Sequence, residues 1–188
     1  LYTRDFVDRT IFGFEIPTAW FQSVNPLFIV LLAPVVSMLW IRLGRSKRGD
    51  FSSPTKMALG MILLGSGFMI LLIAILQTGN DANNIVTKAN IVFIVLTYLF
   101  HTLGELFLSP VGLSTVTRLA PLKLASLLMG VWLASSGVAN ILAGQLARFT
   151  QSLGYFEVFA VIGGLAIVLG LILLAFSKKL TKMMHLED

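Results

Sequence analysis

Residues 57–76 read MALGMILLGSGFMILLIAIL, twenty residues without a single charge. A bilayer core needs about 20 apolar residues as helix, so this stretch is long enough to cross one. It is not alone: charge-free runs of 26, 24, 24 and 20 residues occupy positions 16–41, 57–80, 124–147 and 158–177. Of the 188 residues, 56% are hydrophobic and only 12% are charged, a balance that excludes an ordinary soluble domain. The fold class is an all-α transmembrane bundle.

A fifth span, 89–119, carries one acid in its interior, Glu105. The predicted spans are therefore 20–41, 57–76, 89–119, 124–147 and 156–176, with a polar lead-in at 1–16 and a basic tail at 177–188. At about 1.5 Å per residue the third would reach roughly 46 Å, so a break or bend is expected near Pro110. The first span follows the helix-starting Pro17 and holds Pro26 and Pro34 in its interior, which implies a kinked helix whose freed carbonyls find partners in a bundle. Gly60, Gly65 and Gly67 in the second span let helix backbones approach closely. In the fourth, Gly130, Gly137 and Gly144 recur every seven residues with Ala134 between, which predicts a closely packed left-handed pair.

The net charge of +5 follows the loops. Of the fourteen basic residues, ten (Arg42, Arg45, Lys47, Arg48, Lys56, Arg118, Lys123, Lys178, Lys179 and Lys182) fall on one side of the spans, and Arg4, Arg9, Lys88 and Arg148 on the other. The ten-residue side is expected to be cytoplasmic, which puts the N-terminus outside and the C-terminus inside. Leu1 opens the chain without an initiator Met, no cleavable signal is readable, and the helix count is odd. These features suggest the second part of a longer transporter in a plasma membrane, as in a bacterial inner membrane.

Several classes have no support. The charges lie between apolar runs, so nothing indicates nucleic acid. Cysteine is absent, and only His101 and His185 are available as imidazole ligands, so neither a disulfide framework nor a metal centre is expected. No glycine-rich phosphate loop and no nucleophile–base pair is present, which argues against an enzyme and against a cofactor.

The chemistry-bearing positions are few. A carboxylate in the bilayer costs roughly 2.5–3.5 kcal/mol even on the lenient insertion scale, so Glu105 either faces a cavity, binding an amine or carrying a proton, or holds helices together. His101 lies one turn earlier, where it fits a proton relay or a plain packing contact. Gln22, Ser23 and Asn25 open the first span; an amide there suits a peptide-binding ligand, and Asn25 equally suits a cap on the proline break. Trp132 and Ser136 share a face of the fourth span, with Ser135 between them, and read as a pocket wall or as core. Trp20, Trp40 and Tyr155 read as an interfacial belt.

Three stretches resemble a known family in the right order. PTAWFQSVNPLF (17–28) is similar to the start of the eighth helix of the proton-dependent oligopeptide transporters of the major facilitator superfamily, HTLGELFLSPVGLS (101–114) to their tenth, and MGVWLASS (129–136) to their eleventh. The resemblance covers essentially the whole chain, with the five spans as helices eight to twelve. It implies a proton-coupled symporter for di- and tripeptides working by alternating access. Gln22, Asn25, Glu105, Trp132 and Ser136 would then contact the peptide, with Glu105 facing its amino terminus, and Glu105 and His101 would be the proton-coupling candidates.

The family's first-helix Glu-x-x-Glu-Arg-Phe-x-Tyr-Tyr pattern and its seventh-helix acid have no counterpart here. The implied partners are accordingly a small peptide, protons, the lipid bilayer and the missing N-terminal helices, and the piece is expected to be inert alone. Carriers of nitrate or another small solute keep the same fold, and an accessory membrane subunit is the reading from a different class.

Overall fold

The computed structural model describes residues 2–11, 13–46, 49–78 and 88–184. Lys47, Arg48, Asp81, Glu187 and Asp188, all counted in the charge reading, and His185 lie outside the described residues. A short helix α1 (Tyr2–Phe6) and a two-stranded hairpin, β1 (Thr10–Ile11) and β2 (Phe14–Glu15), lead into a 3-10 turn at Thr18–Ser23. Five long helices follow: α2 (Val24–Gly44), α3 (Ser53–Thr78), α4 (Ile91–Leu119), α5 (Ala125–Leu153) and α6 (Tyr155–Met183). Each is long and apolar enough to cross a membrane.

Local chemistry sets the helix ends. Asn90 caps α4, its side chain accepting from the Val92 N–H at 2.9 Å. Pro121 follows α4, and Gly154, at φ +95°, makes the reversal between α5 and α6 that a side chain would disfavour. Pro26 falls in the first turn of α2, where its missing N–H costs nothing, so only Pro34 is interior, a correction to the sequence reading. Where a break or bend is predicted near Pro110, α4 stays helical from Ile91 to Leu119. Buried hydroxyls bond within their own helices, as Thr97 does to the Phe93 carbonyl at 2.8 Å.

The centre of the bundle is α3, which packs most extensively on α6 and α4. Of its most apolar stretch 33% is buried, against none for α5. Glycine makes this possible. A Cβ on Gly104 would stand 2.7 Å from the Gly60 carbonyl oxygen, and one on Gly65 would stand 2.7 Å from the Gly163 oxygen. At those crossings backbone meets backbone, so α3 is held by close packing on both sides.

The glycine stripe of α5 behaves differently. Nothing lies within 4 Å of a Cβ on Gly130, Gly137 or Gly144. The predicted tight helix pair is therefore absent from the described residues: the spacing puts the glycines on one face, and that face points away from the other helices.

The lead-in is less polar in place than in sequence. Phe6 and Val7 are fully buried, Tyr2 nearly so, and they join Leu71, Ala74, Ile75, Ala89 and Ile94 in an apolar core cluster. Tyr2 stacks on Phe6 at 5.1 Å, and Tyr155, read as a belt residue, meets both rings edge-on. Val7 forms a parallel bridge with Ala89, and the Ala89 N–H donates to the Phe6 carbonyl at 2.7 Å. Arg9 pairs with Glu15 at 2.5 Å across the hairpin.

At the other end of the bundle Trp40 also has more to do than face lipid. Its ring packs on Phe107 at 4.8 Å, and the Lys56 ammonium sits 4.5 Å above it while pairing with Asp50 at 2.5 Å. Cation–π contacts of this kind contribute about 0.5–1 kcal/mol, more when desolvated, and Lys56 is only 13% exposed. Lys56→Met is therefore expected to lower stability by about 1 kcal/mol. Thermal unfolding in detergent checks this, and an unchanged midpoint would mean that the loop contact contributes nothing.

Candidate functional site

Two polar groups that are 80 residues apart in sequence meet between α2 and α4. Asn25, in the first turn of α2, donates through Nδ2 to Glu105 Oε2 at 3.1 Å. Its other end, Oδ1, accepts from the hydroxyl of Thr102 at 2.5 Å. Thr102 and Glu105 are three apart on α4 and share a face, so one asparagine spans both. Thr102 is fully buried, whereas Asn25 and Glu105 are half-buried. The Thr102 hydroxyl has a second neighbour, the Tyr98 carbonyl, at 2.8 Å.

This geometry bears on the alternatives for Asn25. Its amide is committed to α4, and the cap position of α2 is taken by Ser23, whose side chain makes no cap bond. Glu105 has no cationic partner among the described residues. Helices α2, α3 and α5 supply none, being charge-free over 16–41, 57–80 and 124–147. A carboxylate placed this way, with one amide donor and no counterion, suits a ligand carrying an ammonium group.

The other sequence candidates are less tightly gathered. Gln22, in the 3-10 turn one turn before Asn25, is exposed, and no hydrogen bond joins its side chain to the pair among the described residues. Trp132, on α5, lies directly against Gly112 of α4, where a Cβ would overlap its ring. Gly112 is two turns along α4 from Glu105, so the indole covers the same stripe about 10 Å away. Ser136 is exposed one turn along α5, and Ser135 turns back to the Trp132 carbonyl at 2.6 Å.

His101 is not in the network. Its ring sits where a Cβ on Gly67 would be and meets Phe68 at 4.7 Å, and it lines an apolar cavity of about 750 Å³ with Tyr98, Leu142 and Phe159. Its Nε2 is buried. Four residues advance a helix by more than a full turn, and that offset turns His101 toward α3 while Glu105 turns toward α2.

Thr102 is the residue the sequence reading passed over. The available signal was a hydroxyl at i−3 from the sole acid of a membrane helix. Among the described residues no three His, Cys, Asp or Glu side chains gather as a metal site.

Comparison with known proteins identifies a family. The family model described as PTR2, POT family, matches residues 1–163. The peptide transporter YePEPT of Yersinia enterocolitica subsp. palearctica is 42% identical over 155 residues, covering 81% of this chain and 29% of that protein. A di-/tripeptide transporter of Lactococcus lactis subsp. cremoris is 33% identical over 184 residues, covering 97% of this chain and 35% of its own length. A crystal structure of a mutant peptide transporter POT in complex with alafosfalin superposes with a TM-score of 0.85 at 37% identity, covering 98% of this chain and 36% of that one. A POT family transporter in complex with 5-aminolevulinic acid gives 0.83 at 34% identity, covering 96% and 36%. The chain spans about a third of the length of these relatives.

Proposed function

We propose, because this chain belongs to the POT family, that it forms the C-terminal part of the substrate cavity in a proton-coupled symporter importing di- and tripeptides. The observation that carries the reading is Glu105, a carboxylate within a membrane helix that accepts from Asn25 and has no described cation beside it. It is the group to meet a peptide's ammonium. Asn25 orients it, Gln22 stands one turn outward, and Trp132 and Ser136 form the wall on α5. Protons reach the same carboxylate, and His101 serves packing between α4 and α3.

The rest of the symporter, its N-terminal helices, would cover the apolar residues exposed on α2 and α5, such as Val30, Leu31, Val131 and Leu142. Lipid would cover the remainder. The basic ends of α2 and α6 would face the cytoplasm, and Leu1 the outside, in a bacterial inner membrane or another plasma membrane. An anionic cargo such as nitrate is the weaker alternative, since it would meet a like charge at Glu105. An accessory subunit would leave the Asn25–Glu105 pair without a ligand.

The test is uptake of a labelled dipeptide into proteoliposomes under an inward proton gradient, using the longest natural polypeptide that contains these residues. Competable uptake that depends on the gradient is expected, and none from the 188-residue chain alone, since alternating access needs both halves. No uptake by a folded, inserted long form would overturn the proposal.

A further inference from the structure

The Thr102 hydroxyl has one proton and two acceptors in reach, Asn25 Oδ1 at 2.5 Å and the Tyr98 carbonyl at 2.8 Å. With Glu105 ionised, each junction in the described arrangement has one donor and one acceptor: Thr102 donates to Asn25 Oδ1, and Asn25 Nδ2 donates to the carboxylate. Protonation changes what Glu105 needs, because its new O–H must donate. If the Asn25 amide rotates by half a turn, its Oδ1 accepts from Glu105 and its Nδ2 donates to the Thr102 oxygen. Thr102 is then free to give its proton to Tyr98. The three side chains keep two hydrogen bonds among themselves in both states, and the only proton added is the one on Glu105.

We propose that Thr102 is a positioning residue whose single hydroxyl proton, given to Asn25 or to the Tyr98 carbonyl, sets which end of the Asn25 amide faces Glu105. The site thereby holds Glu105 as a carboxylate for an ammonium group or as an acid after protonation, with both hydrogen bonds among the three side chains kept in either case. Burial makes this consequential: Thr102 is fully buried, so no water replaces a lost partner. The titratable groups around the device are few. On α4 they are Tyr98 and His101, while α2, α3 and α5 bring no titratable or charged side chain within 16–41, 57–80 and 124–147. The role in amine binding rests on the proposed peptide transport; the hydrogen-bond coupling does not.

Two readouts on the longest natural polypeptide test it. Thr102→Val keeps the shape and removes donor and acceptor, and is expected to raise KM for a free-amine dipeptide about tenfold, with Thr102→Ser staying within about twofold of the parent. Infrared difference spectra are expected to show the Glu105 carboxyl stretch, identified by its loss in Glu105→Gln, displaced in Thr102→Val and restored in Thr102→Ser. An unmoved band, an unchanged KM, or a loss that serine does not restore overturns the inference. Should the parent transport no dipeptide, the functional reading fails while the infrared readout still decides this one. Thr102→Ala carries the same readouts if the valine variant does not fold.

Discussion

Gly104→Val is expected to leave no monodisperse protein after extraction. A Cβ at this position would lie 2.6 Å from Leu64 Cγ, 2.7 Å from the Gly60 oxygen and 3.0 Å from the Leu64 nitrogen. A flexible side-chain tip can move aside, but two of these three atoms are backbone of α3, so the helix itself must retreat. In lipid there is little hydrophobic gain to hold two apolar helices together, and close packing carries the contact. Overpacking a well-filled core costs about 1–3 kcal/mol, and a clash against rigid backbone belongs at or above the upper end. Because α3 also bears α6 through Gly65 and Gly163, moving it off α4 disturbs the whole bundle. Size-exclusion profiles of a fluorescent fusion measure this. The internal comparison is Gly164→Val: nothing lies within 4 Å of that position, and a profile like the parent's is expected. A monodisperse Gly104→Val protein with unchanged melting would show that the α3–α4 seam is not tight.

Glu105→Gln is expected to weaken transport of free-amine dipeptides by about 30-fold to 5000-fold in KM, and of their N-acetylated forms by less than about threefold. Glutamine keeps the length of the side chain and can still accept the Asn25 bond, so the architecture between α2 and α4 survives. What goes is the charge. An ammonium brought into a site with no other described anion would lose its counterion, and leaving one member of a desolvated pair alone costs about 2–5 kcal/mol. An acetylated amino terminus is neutral and has no such loss. Parallel uptake curves for the two peptides decide the matter: equal loss would make Glu105 a structural or general proton group.

Much of the fold is legible in the sequence because a charge in hydrocarbon is expensive, which makes 57–80 or 158–177 hard to read as anything but spanning helix. The faces of those helices are harder to read. Gly60 and Gly137 look alike as letters, yet one meets a backbone carbonyl and the other meets nothing within 4 Å. The lead-in misleads in the opposite sense. Asp5, Asp8 and Arg9 mark it as polar, while Tyr2 and Phe6, four residues apart, form one apolar face that the charges conceal.

At the site, Asn25 and Glu105 stand out singly, as an amide beside a proline and an acid in a membrane helix. Their meeting across 80 residues is a property of the α2–α4 crossing and has no local signature. Thr102 has even less, since a threonine in a membrane helix ordinarily bonds back to its own turn, as Thr97 does to Phe93.

The seat of the lead-in has a consequence for how the protein is assembled. Phe6 and Val7 rest on residues of α3, on Ala89 and on the rings that open α6. A chain is made from its N-terminus, so this segment leaves the ribosome before any part of its seat exists. Its apolar face has no complete seat until the four helices from α2 to α5 and the start of α6 have been made. The described part of the chain that is made first is therefore among the last to be fastened, and it closes over helix ends that have already met.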